Sequence, residues 1–208
     1  NAEQSLMKLK LLFTNAGRRT YLIKYALKLV DMGYPLEVCA SDANEHVAAL
    51  HVDRRVTTYL TPLISEGEEV YADTIVDLCR EEEIDLVIPL MDYEMPALSR
   101  RKEQLLANGT RAWVSSPKVI TTCLDKHACH DFCRVSGINT PRSWFGRPDG
   151  NANFPLIRKR ILGSGSVGQR VIRSAEELPA IEDSAYFYQE FIPGVEYGMD
   201  VLNDWDGN

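Results

Sequence analysis

Short apolar runs alternate with segments of helical periodicity over the first half of this 208-residue sequence. The run from Leu9 to Thr14 ends in a turn at Asn15 to Gly17, and apolar residues then recur at helical spacing over residues 18–32. Buried parallel strands are typically continuous apolar runs, and amphipathic helices space their apolar residues three and four positions apart. We therefore predict an α/β domain over residues 1–117, with a parallel sheet covered by helices on both faces.

The periodicity divides the chain into two regions of different class. In the first region the predicted strands are residues 9–14, 35–40, 56–59, 85–89 and 111–114, and the predicted helices are 18–32, 69–82 and 94–107. In the second region we predict helices at 117–123, 125–136 and near 175–179, and strands at 142–145, 155–161, 168–173, 186–191 and 196–203. Hairpin-like spacing of these later strands predicts an antiparallel sheet, so residues 118–208 are expected to be an α+β domain.

The composition excludes several classes of protein. The chain is 45% hydrophobic and 25% charged, which is typical of globular domains and not of disordered or fibrous chains. With 23 basic and 30 acidic residues the net charge is −7, which argues against binding nucleic acid through bulk electrostatics. No apolar run is long enough to span a bilayer and we recognise no signal peptide, so we expect no membrane partner.

The cysteines leave two interpretations open. The five cysteines stand at positions 39, 79, 123, 129 and 133, and two histidines lie among the last three. That spacing fits no common zinc motif and falls on a predicted helix, so buried free thiols are favoured over a zinc site. Free thiols indicate a reducing compartment, and we predict a cytoplasmic protein. The sequence leaves open whether it is a monomer or a homodimer.

A basic segment carries the clearest sign of an anionic ligand. Five basic residues and no acidic residue lie between Arg158 and Arg173, in an otherwise acidic chain. This segment contains a loop rich in small residues: Gly163, Ser164, Gly165, Ser166 and Gly168. Backbone amides of such a loop can approach a phosphate closely, and Lys159 can add a cation. The alternatives are a plain flexible hairpin loop and a solvated strand face.

A second motif lies at residues 188–197, where an apolar strand runs into Pro193 and Gly194. We expect this break to free the backbone from Glu190 to Ile192 from sheet pairing, so that it can bind the edge of an adenine. Glu196 can accept hydrogen bonds from ribose hydroxyls.

Three weaker candidates follow strands of the first region. The turn from Thr14 to Arg19 precedes a helix and could bind an anion, although it lacks the glycines of a dinucleotide fingerprint. Asp42 stands where a ribose-binding acid would, or is an exposed turn residue. Asp92 and Glu94 follow another strand, at the edge where ligands bind in open sheets, but Asp92 can equally cap a helix.

The order of these motifs along the chain resembles the ATP-grasp superfamily, and within it proteins similar to the large subunit of carbamoyl phosphate synthase. The motifs are Thr14 to Arg19, Asp125-Lys126, Gly137 to Pro141, Phe154 to Lys159, the Gly/Ser loop, and Gln189 to Tyr197. The resemblance implies that residues 1–117 are a Rossmann-like pre-ATP-grasp domain. It also implies that residues 118–208 are a partial ATP-grasp domain, comprising the small lobe and the start of the large lobe.

The resemblance also implies roles for individual residues. Lys126 and Lys159 would contact ATP phosphates, and the loop from Gly163 to Gly168 would cover them. Glu190 and Ile192 would bind adenine through main-chain groups, and Glu196 would bind the ribose. The sequence departs from the family pattern in two respects: Arg160 stands where many relatives have proline, and no residue matches the family's Mg²⁺ ligands. No catalytic or metal-ligating residue is therefore predicted in this chain.

The implied activity is a ligase reaction. ATP would activate a small carboxylate substrate as an acylphosphate, which an amine or a similar nucleophile would attack. The sequence stops at residues 206–208 in what we interpret as a hairpin turn, so we expect a fragment that is inactive alone. Two alternatives from other classes are a non-catalytic nucleotide- or metabolite-sensing module and a Rossmann-type oxidoreductase, and the missing glycine fingerprint argues against the latter.

Overall fold

The structure is a computed structural model that describes residues 8–204, in two compact units divided after Leu124. The first unit has a five-stranded parallel sheet. Its strands are β1 (Leu9–Thr14), β2 (Leu36–Asp42), β3 (Thr57–Leu60), β4 (Leu86–Pro89) and β5 (Arg111–Ala112). Its helices are α1 (Thr20–Asp31), α2 (Glu68–Glu81), α3 (Met95–Arg100), α4 (Lys102–Ala107) and α5 (Pro117–Leu124). The parallel α/β class predicted from the sequence is confirmed.

The strand order is β3-β2-β1-β4-β5, and every pair in it is parallel. The chain first builds outward from β1 to β3 and then returns to place β4 on the other side of β1. The direction of winding therefore reverses between β1 and β4, which is where open α/β sheets characteristically leave a crevice at their carboxyl edge.

Hydrophobic cores form on both faces of this sheet. Successive residues of a strand point to opposite faces, so Leu12 and Phe13 of β1 enter different cores. Leu12 packs in a cluster with Ile75 of α2 and Leu98 of α3, whereas Phe13 packs in a cluster with Ile23 of α1. Helices thus cover both sides, as the continuous apolar strands predict.

Two boundaries differ from the sequence-based expectation. The single helix predicted over residues 94–107 is divided at Arg101, whose amide donates to Leu98 O, three residues back, and so interrupts the α-helical pattern. The boundary between the units falls after Leu124 and not after Pro117. Helix α5 stays with the first unit because it contacts α3 and buries Ile120 in the same core as Leu98.

The second unit contains a four-stranded antiparallel sheet and one helix. Its elements are α6 (Lys126–Val135), β6 (Ser143–Trp144), β7 (Leu156–Arg160), β8 (Arg170–Ile172) and β9 (Tyr186–Glu190), and the strand order is β6-β9-β7-β8. The side chains of adjacent residues of β9 point to opposite faces of the sheet. Tyr188 joins Leu156 and Ile172 in a small core, and Phe187 stacks on Phe145, which stacks on His127 of α6.

Two predicted elements of this unit are wrong. Residues 196–203 form no strand and pair with none of the described strands, and their apolar side chains, such as Val201 at 82% exposure, face solvent. A strand needs a pairing partner, and alternating apolar residues alone do not supply one. The helix predicted near 175–179 is a single 3₁₀ turn at Ala175–Glu177. The predicted turn at residues 206–208 lies outside the described residues.

Candidate functional site

A cationic cavity of about 280 Å³ lies in the second unit. It is lined by Lys126, Lys159, Arg160, Gly163, Ser164, Gly165, Ser166, Val167, Gln169 and Glu196. The cavity brings together the start of α6, the end of β7, the Gly/Ser loop and residue 196, which are far apart in sequence. Three cations and one carboxylate give it a net positive charge, so it suits an anionic ligand.

Lys126 holds the loop at one side of this cavity. Asp125 caps α6 by accepting the backbone N–H groups of His127 and Ala128 at 2.8 and 3.0 Å, which sets Lys126 as the first helical residue. The ammonium of Lys126 then donates to Gly163 O at 2.6 Å. Its backbone N–H donates to Ile161 O at 3.1 Å, so the helix start and the end of β7 are tied together.

Lys159 lies half-buried on β7, with its Nζ 5.7 Å from the centre of the Phe187 ring. Burial lowers the pKa of Lys159, and the nearby charge of Lys126 lowers it further, while Glu196 opposes the shift. An anion bound beside Lys159 would favour its charged form and so offset both causes. The electrostatics therefore favour a negatively charged ligand at this point.

The Gly/Ser loop adopts conformations that side chains rarely allow. The φ angles are +131° at Gly163, +63° at Gly165, +57° at Ser166 and +75° at Gly168. Glycine reaches this region without steric cost, and the absence of Cβ atoms leaves the backbone open to a ligand. At Gly168 a Cβ would stand 3.1 Å from Tyr186 Oη, so close packing as well as the backbone angle requires glycine there.

The basic segment predicted from the sequence divides into two groups. Arg158 lies 3.7 Å from the centre of the Tyr186 ring, and Arg170 lies 4.0 Å from a carboxylate oxygen of Glu177. These arginines have partners within the protein and do not line the cavity. Lys159 and Arg160 line it. Arg158 and Arg160 share one face of β7, and both guanidinium groups approach the ring of Tyr186, at 3.7 and 5.8 Å, so their positions along the strand and not the strand face separate them. The sequence pattern alone could not make this distinction.

Three predicted residues do not line the cavity: Gly168, Glu190 and Ile192. The expectation that the backbone is free from Glu190 to Ile192 is wrong for its first part. Glu190 is the last residue of β9 and its N–H donates to Arg142 O at 2.9 Å, and Phe191 N–H donates to Pro155 O. Sheet pairing continues to the strand end because β6 lies beside it. Sequence analysis also missed Val167 and Gln169, which line the cavity.

The anion site suggested at the turn from Thr14 to Arg19 stays a prediction, and two of its backbone amides are already engaged. The N–H of Ala16 donates to Ser41 O at 3.0 Å, and the N–H of Gly17 donates to a carboxylate oxygen of Asp42 at 2.8 Å. The other carboxylate oxygen of Asp42 accepts Asn44 N–H. Asp42 therefore closes the turn, and these amides are already engaged.

The two acidic residues after β4 have different environments. Asp92 is exposed and no side chain caps α3, so the predicted capping by Asp92 is not found. Glu94 is fully buried and accepts four hydrogen bonds, from Leu90 N–H, Met91 N–H, Asn15 and Tyr71. Its burial raises its pKa. A glutamate that precedes an apolar helix was the only sequence signal for this network.

Metal binding has no cluster of ligands in the described part of the chain. Within residues 8–204 no three His, Cys, Asp or Glu side chains come close enough together to hold a metal ion. Cys39 and Cys79 are buried, Cys129 and Cys133 are half-buried, and Cys123 is exposed, so the expectation of buried thiols is wrong for Cys123. Among these residues no helix has the length and apolarity needed to cross a membrane.

The parallel sheet, followed by an antiparallel unit with a glycine-rich loop over a cationic cavity, has the N-terminal architecture of the ATP-grasp superfamily. Residues 11–113 match the model of the PylC-like N-terminal domain family. The match extends across all five strands of the parallel sheet. A search of curated protein sequences finds no match to the chain.

Several solved structures share the fold. L-amino acid ligase from Bacillus licheniformis aligns with a TM-score of 0.65 at 17% identity, over 90% of this chain and 45% of that chain. N5-carboxyaminoimidazole ribonucleotide synthetase from Thermotoga maritima aligns with a TM-score of 0.61 at 18% identity, over 89% of this chain and 46% of that chain. The third is the biotin carboxylase domain of 2-oxoglutarate carboxylase from Hydrogenobacter thermophilus, in complex with MgADP, ADP and bicarbonate. It aligns with a TM-score of 0.61 at 18% identity, over 89% of this chain and 45% of that chain.

The chain spans less than half the length of these solved structures. The resemblance to ATP-grasp proteins is confirmed at the level of the fold. The closer resemblance to the large subunit of carbamoyl phosphate synthase stays a prediction, as does the cytoplasmic location.

Proposed function

We propose that this chain is the nucleotide-binding N-terminal part of an ATP-grasp ligase, which activates a small carboxylate with ATP for attack by an amine or similar nucleophile. The observation that carries the proposal is the cavity of the second unit. The resemblance to ATP-grasp proteins implies ATP-phosphate contacts for Lys126, Lys159 and the Gly/Ser loop, and these line one cavity.

The cavity can hold phosphates by charge and by backbone donors. The ammonium groups of Lys126 and Lys159, with the guanidinium of Arg160, supply three positive charges. The loop from Gly163 to Gly168 supplies N–H groups in a backbone that left-handed φ angles curve. Phosphoryl transfer depends mainly on positioning and charge neutralisation, and these residues would contribute both.

The nucleoside would extend from this cavity toward Glu196 and the end of β9. Glu196 lines the cavity and would accept hydrogen bonds from the ribose. Ile192 is 61% exposed beyond the paired part of β9, so its main-chain groups are the better candidates for adenine binding. For Glu190 only the carbonyl oxygen remains a candidate, because its N–H already has a partner.

Mg²⁺ does not fit the residues at hand. Glu196 is the only carboxylate that lines the cavity, and the described residues contain no cluster of three potential ligands. We therefore derive no step through a metal ion. The proposal places the Mg²⁺ ligands outside this chain and expects the chain alone to bind ATP without turning it over.

Calorimetric titration with ATP tests the proposal, with GTP and NADH as controls and with Mg²⁺ present and absent. We expect selective ATP binding to which Mg²⁺ adds little. Lys159→Ala should weaken it by about 1.5–3 kcal/mol, the usual worth of a charge-assisted hydrogen bond. Lys118→Ala, a lysine of α5 that does not line the cavity, is the matched control.

Three results would count against the proposal. ATP affinity unchanged in Lys159→Ala would remove Lys159 from the site. NADH binding in preference to ATP would favour the oxidoreductase alternative. Turnover of ATP by the pure chain would contradict the expectation that it is inactive alone.

A further inference from the structure

Tyr186 lies beside the cationic cavity of the second unit without lining it. It stands on β9, directly opposite Arg160 at the end of β7. Arg160 lines the cavity and Tyr186 does not. Directly opposed residues of antiparallel strands lie on the same face of the sheet, and their side chains interact. Tyr186 can therefore influence a bound ligand only through residues that line the cavity.

The ring of Tyr186 is held from one side by Arg158. The guanidinium carbon of Arg158 lies 3.7 Å from the ring centre, which is a stacking distance. Arg158 is half-buried on β7, an interior strand of the antiparallel sheet. The nucleotide proposal leaves this arginine without a role, because it does not line the cavity. Its contact with the ring gives it one, since it fixes the orientation of Tyr186.

The hydroxyl end of Tyr186 lies against the last residue of the Gly/Ser loop. A Cβ at Gly168 would stand 3.1 Å from Tyr186 Oη and 3.6 Å from its Cε1. Gly168 has a φ of +75°, and β8 begins two residues later. Because the ring is fixed by Arg158, Tyr186 limits where the loop can end.

The side chain of Arg160 lies close to both ends of the loop. A Cβ at Gly168 would stand 3.7 Å from Arg160 Cδ, and a Cβ at Gly163 would stand 4.0 Å from Arg160 Cβ. The guanidinium carbon of Arg160 lies 5.8 Å from the ring centre of Tyr186, within the roughly 6 Å over which a ring attracts a cation. Among residues 8–204 no carboxylate forms an ion pair with Arg160.

Arg160 is the least restrained of the three cations in the cavity. The ammonium of Lys126 is tied to Gly163 O, and Lys159 is half-buried, whereas Arg160 is exposed. A mobile arginine loses conformational entropy when it binds an anion, and this loss weakens the binding. A fixed aromatic ring beside the guanidinium reduces the loss.

We propose that Tyr186 is a positioning residue for the anion that this cavity binds. It restrains the guanidinium of Arg160 and the end of the loop at Gly168, so that both are in place before the anion arrives. The identity of this anion as the phosphates of ATP rests on the proposed function. Inorganic tripolyphosphate carries the charge without the nucleoside and separates the two questions.

Calorimetric titration of the chain with tripolyphosphate, and then with ATP, tests the role of the ring. Tyr186→Leu should weaken tripolyphosphate binding about fivefold, whereas Tyr186→Phe, which keeps the ring, should stay within about twofold of the wild type. Tyr34→Leu makes the same change at a tyrosine of the first unit that is 55% exposed, and should have no effect. Unchanged binding in Tyr186→Leu would overturn the proposal.

A double-mutant cycle tests whether Tyr186 acts through Arg160. Arg160→Gln should weaken tripolyphosphate binding about tenfold. The double variant Tyr186→Leu/Arg160→Gln should lose about fifteenfold, well short of the roughly fiftyfold that independent effects would give. A merely structural contribution of Tyr186 would leave the two effects independent, and a fiftyfold loss would therefore overturn the proposal.

The contact with the loop has its own test. Gly168→Ala places a Cβ against Tyr186 Oη and should weaken tripolyphosphate binding about tenfold. Adding Tyr186→Phe removes that oxygen and should recover about threefold. Gly165→Ala is the matched control, because Gly165 also has a positive φ but a Cβ there would meet nothing within 4 Å, so Tyr186→Phe should not rescue it. No recovery in Gly168→Ala would overturn the proposal.

The two probes keep this proposal apart from the proposed function. Tripolyphosphate binding that depends on Tyr186, with no preference for ATP over GTP, would support the positioning role and contradict the nucleotide assignment. ATP binding that Tyr186→Leu leaves unchanged would do the reverse. If the wild type bound neither probe, both proposals would be refuted.

Discussion

The two units of this chain use polar and charged side chains in opposite ways. In the first unit, Asn15, Tyr71 and Glu94 bond mainly to one another in the interior. In the second, Lys159 stands beside Lys126 with no ion pair within the described residues, and both line a cavity. Buried groups that satisfy one another contribute to the stability of the fold, whereas groups left unsatisfied are available for a ligand.

The same contrast appears in the hydrophobic cores. The parallel sheet carries a core on each face, whereas the antiparallel sheet has one small core around Leu156, Ile172 and Tyr188. Substitutions in the first unit should therefore act mainly on stability. Substitutions around the cavity of the second unit should act mainly on binding.

The largest effect is expected for Glu94→Ala. The change leaves Leu90 N–H, Met91 N–H, Asn15 and Tyr71 without their common acceptor, and unsatisfied buried groups are costly. We expect the free energy of unfolding to fall by about 3–5 kcal/mol in urea denaturation. Glu103→Ala, exposed on α4, should change it by less than about 0.5 kcal/mol. A similar small change for both variants would show that the network does not stabilise the first unit.

Lys126→Met, in contrast to Glu94→Ala, should weaken ligand binding and leave stability nearly unchanged. It removes the ammonium that donates to Gly163 O at 2.6 Å and one of the cavity's three cations. We expect ATP affinity to fall about tenfold, while the free energy of unfolding changes by less than about 1 kcal/mol. The paired measurements are calorimetric titration and urea denaturation. A large loss of stability with ATP affinity retained would reverse the distinction between the units.

The smallest effect concerns Glu82, a half-buried counterpart of Glu94 in the first unit. Hydrogen bonds from Tyr59 Oη at 2.7 Å and from Lys10 Nζ at 3.1 Å lower its pKa below the usual 4.5. A lowered folded-state pKa contributes stability above the unfolded-state pKa, and this stability is lost as the pH falls through the folded-state value. Glu82→Gln should therefore be less stable than the wild type at neutral pH.

The pH dependence gives this prediction its test. The difference in denaturation midpoint between Glu82→Gln and the wild type should shrink as the pH is lowered from about 7 to about 3. A difference that stays constant over that range would mean that the carboxylate charge of Glu82 is not what stabilises the protein.

Most of the fold could be predicted from local patterns. Apolar runs such as Leu9 to Thr14 and helical periodicity such as that over α2 identify buried strands and amphipathic helices, because burial requires those spacings. The predicted strand at 196–203 failed for the reason that makes strands harder to predict than helices. A helix forms its hydrogen bonds within itself, whereas a strand needs a partner that periodicity does not reveal.

The candidate site was predictable in part for a similar reason. Motifs of unusual composition, such as the loop from Gly163 to Gly168, stand out in the sequence because few other structures need three glycines so close together. Arg158 and Arg160 share one face of β7 and the same aromatic neighbour from β9, Tyr186, but of the two only Arg160, at the end of the strand, lines the cavity. Those contacts join residues that are distant in sequence.

The amino-acid sequence by itself determined the class of each unit, the glycine-rich loop and the lysines beside it, since these follow from local spacing and residue chemistry. Only the tertiary structure decided which polar groups are already paired. It engages the amide of Gly17 with Asp42 and that of Asn15 with Tyr71 and Glu94, because hydrogen-bond satisfaction depends on residues that meet only after folding.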